Sequence, residues 1–571
     1  RAQMVHQGYI ETHNATVDYD AVTGQMTVWS SNRGQFPLRS ELARLLEVPE
    51  THIRVIATEP GGAFGAKITP LTEALAAIGS RATGRPVKLV MSRSEDLKAA
   101  IPAPQAVVTL KTGAKRDGTL TALEATVVFD AGAFPGGPLL AGCTLIGGYY
   151  VWPHLAIDGY EVMTNKVSVG ALRAPGAPQV TFAIESQMDL MAEQLGLDPL
   201  EFRLKNAVAG GALMPNNRPY PRIGLKECIR QVQQSALWQR RLREGKGATG
   251  RTSGGRTRGY GVAVGGWLGG QQPAAASCTL NSDGTISVAV GSIDVSGTNT
   301  AFAQIAADEF GIPVERVRVQ MADSATAPYS GQSGGSKTLR STGAAVQQAA
   351  RDALRQMLAI AAERLEVSPD DLEAVDSVIR VKGSPDQGMG FDLLYTLTTS
   401  FGNQPYRPIL GQGSVASPPQ APSFVCQAVE LEVDPETGEV TVLDAVCAQD
   451  VGFAVNPLAV AGQIQGGMVQ ALSIGLWEEL LFDERGILRN PTFLDYRLPT
   501  ALDLPRVTPI IVEVPTGAAP YGSRGVGEAS IAAGAAAAAN AVYDAVGARV
   551  FRLPATAERI LAALGTLPDN G

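Results

Sequence analysis

Cysteine is scarce in this chain: Cys143, Cys228, Cys278, Cys426 and Cys447 lie far apart in 571 residues and make no CxxC pair. An odd, scattered set reads as reduced thiols in a cytosolic-type protein. It excludes a zinc ribbon or an iron–sulfur cluster bound by this chain alone. The four histidines (His6, His13, His52, His154) make no HExxH, so no residue is proposed as a direct metal ligand, and any metal must arrive inside a cofactor. A basic surplus is also missing: 47 basic residues face 55 acidic ones, a formal charge of −8, which argues against a nucleic-acid protein. Charged residues make up only 18%, below the ~25% of an average soluble domain. The most membrane-like stretch, Ala529 to Ala548, is Ala- and Gly-rich and carries Asn540 and Asp544. It reads as a close-packed buried helix rather than a span. No signal peptide is visible after Arg1, and the cytoplasm is the expected compartment.

What the chain has in quantity is apolar residues (45%), 63 glycines and 36 prolines. Disorder is excluded as a global description, and many sharp turns around a large core are implied. Length gives a prior of roughly four domain-equivalents. The clearest linker is the basic, Gly/Ser/Thr-rich stretch RRLREGKGATGRTSGGRTRG at 240–259, which reads as a solvated connector rather than a nucleic-acid arm. It divides the chain into a first lobe, 1–240, a linker, 241–258, and a second lobe, 259–571. Two echoes suggest duplication. ELARLLEVPETHIRVIATEP is matched by AQIAADEFGIPVERVRVQMADS, each followed by a Gly-rich loop, and VDYDAVTGQMTV is matched by LEVDPETGEVTV. Strands and helices alternate irregularly, so the expected fold is α+β: two elongated lobes of mixed sheets and helices built from related repeats.

Four Gly-rich loops punctuate the pattern. GGAFGAK (61–67) fails the P-loop test, because Ala66 separates Gly65 from Lys67 and no Ser/Thr follows; its glycines can still aim backbone N–H groups at a negative group. GALRAPGAPQ (170–179) holds Arg173 in a rigid, small-residue loop before a helical pattern. GSIDVSGTNT (291–300) lies between a β-rich stretch and a helix. GSRGVGEAS (522–530) ends in Glu528, read as opening the Ala-rich helix. Glu528 has two readings: a dipole-compensating residue in a first helical turn, or a carboxylate raised in pKa by apolar surroundings and able to act as a base. GYGVAVGG (259–266) follows a linker rather than a strand and is not a dinucleotide fingerprint.

The ordered set GGAFGAK, RAPGAPQ followed by ESQMDLMAEQLGLDPLEFRLKN, GSIDVSGTNT, GQIQGGMVQ and GVGEAS resembles the molybdenum-cofactor subunit of the xanthine dehydrogenase/aldehyde oxidase family across almost the whole chain. The resemblance implies that Glu528 is the catalytic base. It places Gly62, Ala63, Phe64 and Gly65 in the loop whose amides meet the metal's oxo ligand, and Arg173 and Ala174 in the loop crossing the metal. Val295 and Ser296 fall in one pterin-dinucleotide-contacting loop, Ser333 and Ser336 in a second, and Gln463 at a pterin contact. A glutamine that some members place beside the oxo ligand falls at Val5. The family's hammerhead domain is not represented before RAQMVHQGYIETH, leaving open whether it is absent, truncated or on another chain.

The resemblance further implies a molybdenum hydroxylase subunit that oxidises an aldehyde or N-heteroaromatic carbon with water-derived oxygen. The cofactor would be molybdenum–molybdopterin cytosine dinucleotide. Electrons would pass to partner [2Fe-2S] and FAD subunits, in an expected dimer of heterotrimers with no nucleic acid and no membrane span. Where purine-oxidising members place a Glu, an Arg and a Phe, this chain has Ile68, Ala141 and Pro175. Where carbon-monoxide dehydrogenases place a copper-binding Cys it has Ala174, with Cys143 too distant to substitute by register. A small aldehyde is therefore expected first and a less polar N-heteroaromatic second, with neither xanthine nor carbon monoxide the substrate. Two other classes stand beside this reading. A noncatalytic molybdopterin carrier or assembly protein would need the loops but not Glu528, and a β-rich structural or adhesive protein would bind no metal.

Overall fold

The computed structural model describes residues 1–244, 255–402, 405–517 and 519–567. Of the stretch read as a linker, residues 245–254 lie outside the described residues. Arg241 ends up in helix Ala236–Glu244, paired with Asp198 at 2.9 Å, and Thr257 opens strand Thr257–Trp267.

The architecture is α+β, with one supersecondary unit used four times. Strands Asn14–Tyr19 and Met26–Ser30 form a hairpin, helix Gln35–Leu46 follows, strand Ile53–Ala57 returns parallel to the second hairpin strand, and helix Thr72–Thr83 closes the unit. Strands Ala274–Leu280 and Ile286–Val290, helix Thr298–Phe310, parallel strand Val317–Met321 and helix Thr338–Leu365 repeat that order. The same text recurs at Ala106–Ala114, Leu120–Gly132, Leu139–Ile146, His154–Met163 and Ala177–Leu195. It recurs again at Ser423–Val433, Val440–Asp450, Pro457–Leu476, Val507–Val512 and Gly534–Val546.

The units are interleaved in the same way in both halves. Ala2 and Val5 bridge to Ala106 and Ala103 before and after the unit at 14–90. Strand Thr257–Trp267 likewise pairs with Ser423–Val433 across the unit at 274–415. The first sequence echo thus joins equivalent units of the two halves, and the second joins hairpins of non-equivalent units. Both reflect repeated structure.

Apolar periodicity explains each core. Val17, Val28, Leu38, Leu42 and Val55 meet inside the first unit, and Val288, Phe302, Ile305, Ala345 and Ala349 inside its counterpart. A third core joins Val425, Leu431, Ile464, Met468 and Ala537. The fourth runs from Phe129 and Ile184 through Trp238 to Val262 and Cys426, so the two halves share it. The GYGVAVGG text is a strand, and its glycines let it lie on the Ala-rich helix. A Cβ at Gly261 would stand 2.0 Å from the Ala537 carbonyl oxygen. Gly413 does the same against Ala345 in the sister unit, at 1.9 Å.

Candidate active site

Each unit sends the loop between its parallel strand and its second helix to one place. These four loops (58–71, 164–176, 322–337 and 513–533) carry the GGAFGAK, RAPGAPQ, SGQSGGSK and GSRGVGEAS motifs. They converge on a cleft of about 1180 Å³, completed by three loops between second hairpin strand and first helix, which contribute Arg33, Val295 and Phe453.

Of the residues singled out in the sequence, Phe64, Gly65, Arg173, Val295, Ser296, Ser333, Ser336, Gln463 and Glu528 line the cleft. Ala174, buried beside the cleft, presents its backbone N–H to the Glu528 carboxylate. Gly62 and Ala63 do not reach the cleft. Gly62, at φ +89°, turns the chain over Tyr9, and buried Ala63 accepts the Ala66 amide at 2.9 Å. Ser296 and Ser333 are partly committed: the Ser296 amide donates to Asp294 (3.2 Å) and the Ser333 hydroxyl to the Ile293 carbonyl (2.5 Å). Phe64, Ala174 and Ser336 all hold φ between +49° and +58°. Left-handed backbone in non-glycine residues is costly and clusters at functional sites.

The loops are stitched together across the cleft. The Phe64 carbonyl accepts the Arg173 amide at 2.7 Å. The buried Arg173 guanidinium donates through Nε to the Gly527 carbonyl, and through Nη2 to the Gln463 carbonyl (2.9 Å) and Oε1 (3.2 Å). Gly525 packs so closely on the third loop that a Cβ there would fall 1.7 Å from the Ser336 carbonyl oxygen.

Glu528 does not open the Ala-rich helix. It precedes a single 3₁₀ turn, Ala529–Ile531, makes no side-chain cap bond, and the helix proper begins at Gly534. The cause is buried Gln427, whose side chain donates to the Ser530 carbonyl (2.5 Å) and accepts the Ala533 amide (3.0 Å), taking bonds a continuous helix would need. The capping reading of Glu528 therefore lacks its hydrogen bond. The carboxyl instead sits in the cleft wall, with Oε2 buried and unpartnered. Burial raises its pKa to about 7, while Arg33, the Ser336 hydroxyl, Arg173 and the Ala174 amide pull the other way. Burial also lowers Arg33 and Arg173, each to about 10, so both stay charged at neutral pH.

Sequence reasoning missed Arg33, Phe453, Val455 and Asn456. Their signal was positional: SSNRGQ and DVGFAVN occupy the same place in their units as GSIDVSG does in its own.

Two models described as molybdopterin cofactor-binding domain match residues 1–207 and 231–505. The chain is 33% identical, over 94% of its own length and 72% of the relative's, to the xanthine dehydrogenase molybdenum-binding subunit of Escherichia coli O157:H7. The chain belongs to the xanthine dehydrogenase/aldehyde oxidase family of molybdenum-cofactor-binding subunits. This subunit is part of a molybdenum-dependent oxidoreductase. It superposes on quinoline 2-oxidoreductase from Pseudomonas putida 86 with a TM-score of 0.91 at 26% identity, over 99% of this chain and 76% of that one. For the aldehyde oxidoreductase from Desulfovibrio gigas the values are 0.84 and 28%, over 99% and 60%.

The cleft suits a molybdopterin. Glu528 Oε2 is buried without a partner, Gly297 has open space where a Cβ would stand, and the walls combine the apolar Val295, Leu339 and Phe453 with glycines at 297, 334, 335, 525 and 527. Among the described residues no helix is long and apolar enough to cross a membrane, and no three His, Cys, Asp or Glu side chains cluster as a metal site.

Proposed function

We propose that the subunit hydroxylates an aldehyde or N-heteroaromatic carbon with water-derived oxygen, with Glu528 as general base. One observation carries this reading: the Glu528 carboxyl, with Oε2 buried and unpartnered and its pKa raised by burial to about 7, stands in the cleft wall with Arg33 and Arg173. A base poised near the operating pH is what proton abstraction at neutral pH requires. Phe64, Gly65, Arg173, Ala174 and Gln463 would hold the metal end of a molybdenum–molybdopterin cofactor, and Val295, Ser296, Ser333 and Ser336 its dinucleotide, read as the cytosine form. When bound, that group supplies the two-electron acceptor and the Lewis acid. Glu528, ionised, accepts the proton lost by the oxygen nucleophile as the new C–O bond forms. Arg173 holds the Gly527 carbonyl, and with it the adjoining Glu528, against Gln463. The apolar side chains of Ile293, Val295, Leu339 and Phe453 line the cleft that the carboxyl faces.

Electrons would leave through [2Fe-2S] and FAD subunits, in a cytoplasmic dimer of heterotrimers. The names of the relatives, molybdenum-binding and large subunits, support a multi-chain enzyme. The division into 1–240 and 259–571 is kept as a proposal. For the substrate, Ile68, Ala141 and Pro175 offer no charged or polar side chain to a purine. Ala141 and Pro175 lie on adjoining elements, since a Cβ at Gly176 would stand 3.0 Å from the Pro138 carbonyl oxygen and 3.2 Å from the Gly142 nitrogen. Cys143 faces strand His154–Met163, its sulfur 2.6 Å from where a Gly159 Cβ would be, which supports a site without copper. A small aldehyde is the first choice.

The test is Glu528→Gln in the assembled enzyme. Molybdenum and pterin should be retained while turnover falls by about 10²–10⁴, the range for a general base. Equal loss of molybdenum and activity would refute the assignment, unchanged turnover would exclude Glu528 as the base, and a parent that holds molybdenum but turns over no aldehyde or N-heteroaromatic would favour a noncatalytic carrier. Faster bleaching by xanthine than by every aldehyde tried would refute the substrate reading.

A further inference from the structure

Arg33 lies between strand Met26–Ser30 and helix Gln35–Leu46, only 7% exposed. Its Nε donates to the Ala66 carbonyl and its Nη1 to the Ser333 carbonyl, both at 2.9 Å. Its own amide donates to the Lys67 carbonyl (2.9 Å), and its carbonyl accepts the Ser333 amide (2.7 Å). One residue thus pins the 61–67 loop of the first half to the 331–337 loop of the second. The planar guanidinium can span two carbonyls at once, which a lysine ammonium on a flexible stem does less well. It also lies flat against Gly334, whose Cβ position is 3.5 Å from Nη1 and 3.7 Å from Nη2.

The charge is not neutralised where it sits. Among the described residues no carboxylate lies within 4.0 Å of Arg33 or of Arg173. The acidic group whose field acts on Arg33 is Glu528, across the same cleft. A buried charge without a contact partner is unfavourable unless the site uses it. The groups facing Glu528 are Arg33, Arg173, the Ser336 hydroxyl and the Ala174 amide, drawn from three loops, with Arg173 and Ala174 sharing one.

We infer that Arg33 is a positioning residue of the cleft, holding the two loops in register and setting its charge across the cleft from Glu528. This rests on Glu528 being the base. The test uses Arg33→Met and Arg33→Lys, each as cofactor-free chain and as assembled enzyme. In the cofactor-free chain, difference infrared spectroscopy follows the carboxyl band that disappears in Glu528→Gln. Arg33→Met should raise its titration midpoint by about one unit, the lower end of what a neighbouring opposite charge contributes. The acid limb of turnover should move up equally, so the rate at pH 6 falls about tenfold further than in the parent. Arg33→Lys should restore most of the midpoint. An unmoved midpoint in Arg33→Met overturns the inference; if that chain does not fold, Arg33→Gln decides by the same titration. A moved midpoint with Glu528→Gln still turning over sinks the base assignment instead and leaves the electrostatic role of Arg33 standing.

Discussion

Arg173 offers the sharpest test of how the cleft is held. Replacing it with Met keeps most of the side-chain volume but removes the donors to the Gly527 and Gln463 carbonyls and to Gln463 Oε1. The Gln463 carbonyl retains the Ser530 hydroxyl at 3.1 Å, so the Gly527 carbonyl is the acceptor that loses its side-chain donor. Hydrogen bonds from a charged donor contribute about 1.5–3 kcal/mol each. Three are lost, two of them shared by one nitrogen, and relief from burying an unpaired guanidinium offsets part of that. A net loss of roughly 3 kcal/mol corresponds to about a hundredfold rise in the population of the open loop. Amide hydrogen exchange across 522–530 should accelerate by that factor, with exchange in helix Gly534–Val546 unchanged. Molybdenum per chain should fall in parallel, and Arg173→Lys should recover little because one ammonium cannot reproduce the fork. Exchange and molybdenum content matching the parent would refute the reasoning.

The rate of the assembled enzyme should rise with pH through an acid limb near 7, since the Glu528 carboxyl must lose its proton and its pKa stands at about 7; a flat profile between pH 5.5 and 8 counts against it. Gly525→Ala should lower molybdenum content at least tenfold, because the added Cβ meets the Ser336 carbonyl oxygen at 1.7 Å, and elemental analysis of the purified chain checks this. Glu478 is buried, accepts the Tyr496 hydroxyl at 2.7 Å, and is raised from 4.5 to about 7 by burial. A carboxyl whose folded pKa is raised binds more protons folded than unfolded, so its cost appears as pH climbs above the unfolded value and is complete above the folded one. Glu478→Gln should therefore raise the thermal midpoint at pH 8, by a gain of up to roughly 3 kcal/mol, and leave it unchanged at pH 4. The opposite ordering would show that the carboxylate is stabilised where it sits.

The loops were legible because glycine runs advertise themselves: GGAFGAK, RAPGAPQ, SGQSGGSK and GVGEAS each need backbone freedom or close approach, and all four reach the cleft. The α+β pattern was legible from hairpins marked by Asp-x-x-Thr-Gly and from paired helix–strand echoes. Arg33 and Phe453 were not, because nothing local marks them. They become site residues only once four units are superposed and SSNRGQ is seen to occupy the place of GSIDVSG. The true start of the Ala-rich helix was hidden for a similar reason. Propensity favours helix from Ala529 onward, but Gln427, about a hundred residues earlier in the chain, captures the Ser530 carbonyl and the Ala533 amide. Local preference lost to one long-range side chain.

The convergence of one loop from each unit also bears on how the molecule comes apart. Val28 and Leu42 belong to one core, Val288 and Phe302 to another, and Ile464 and Ala537 to a third. Separately cored units can open at different free energies, so in the absence of ligand the cofactor-free chain should melt in stages. A ligand touching all four loops binds only when every unit is in place, and it stabilises that joint state by an amount set by its concentration relative to its dissociation constant. Loading therefore does more than add stability. It couples transitions that were independent, and the loaded subunit should unfold in a single cooperative step.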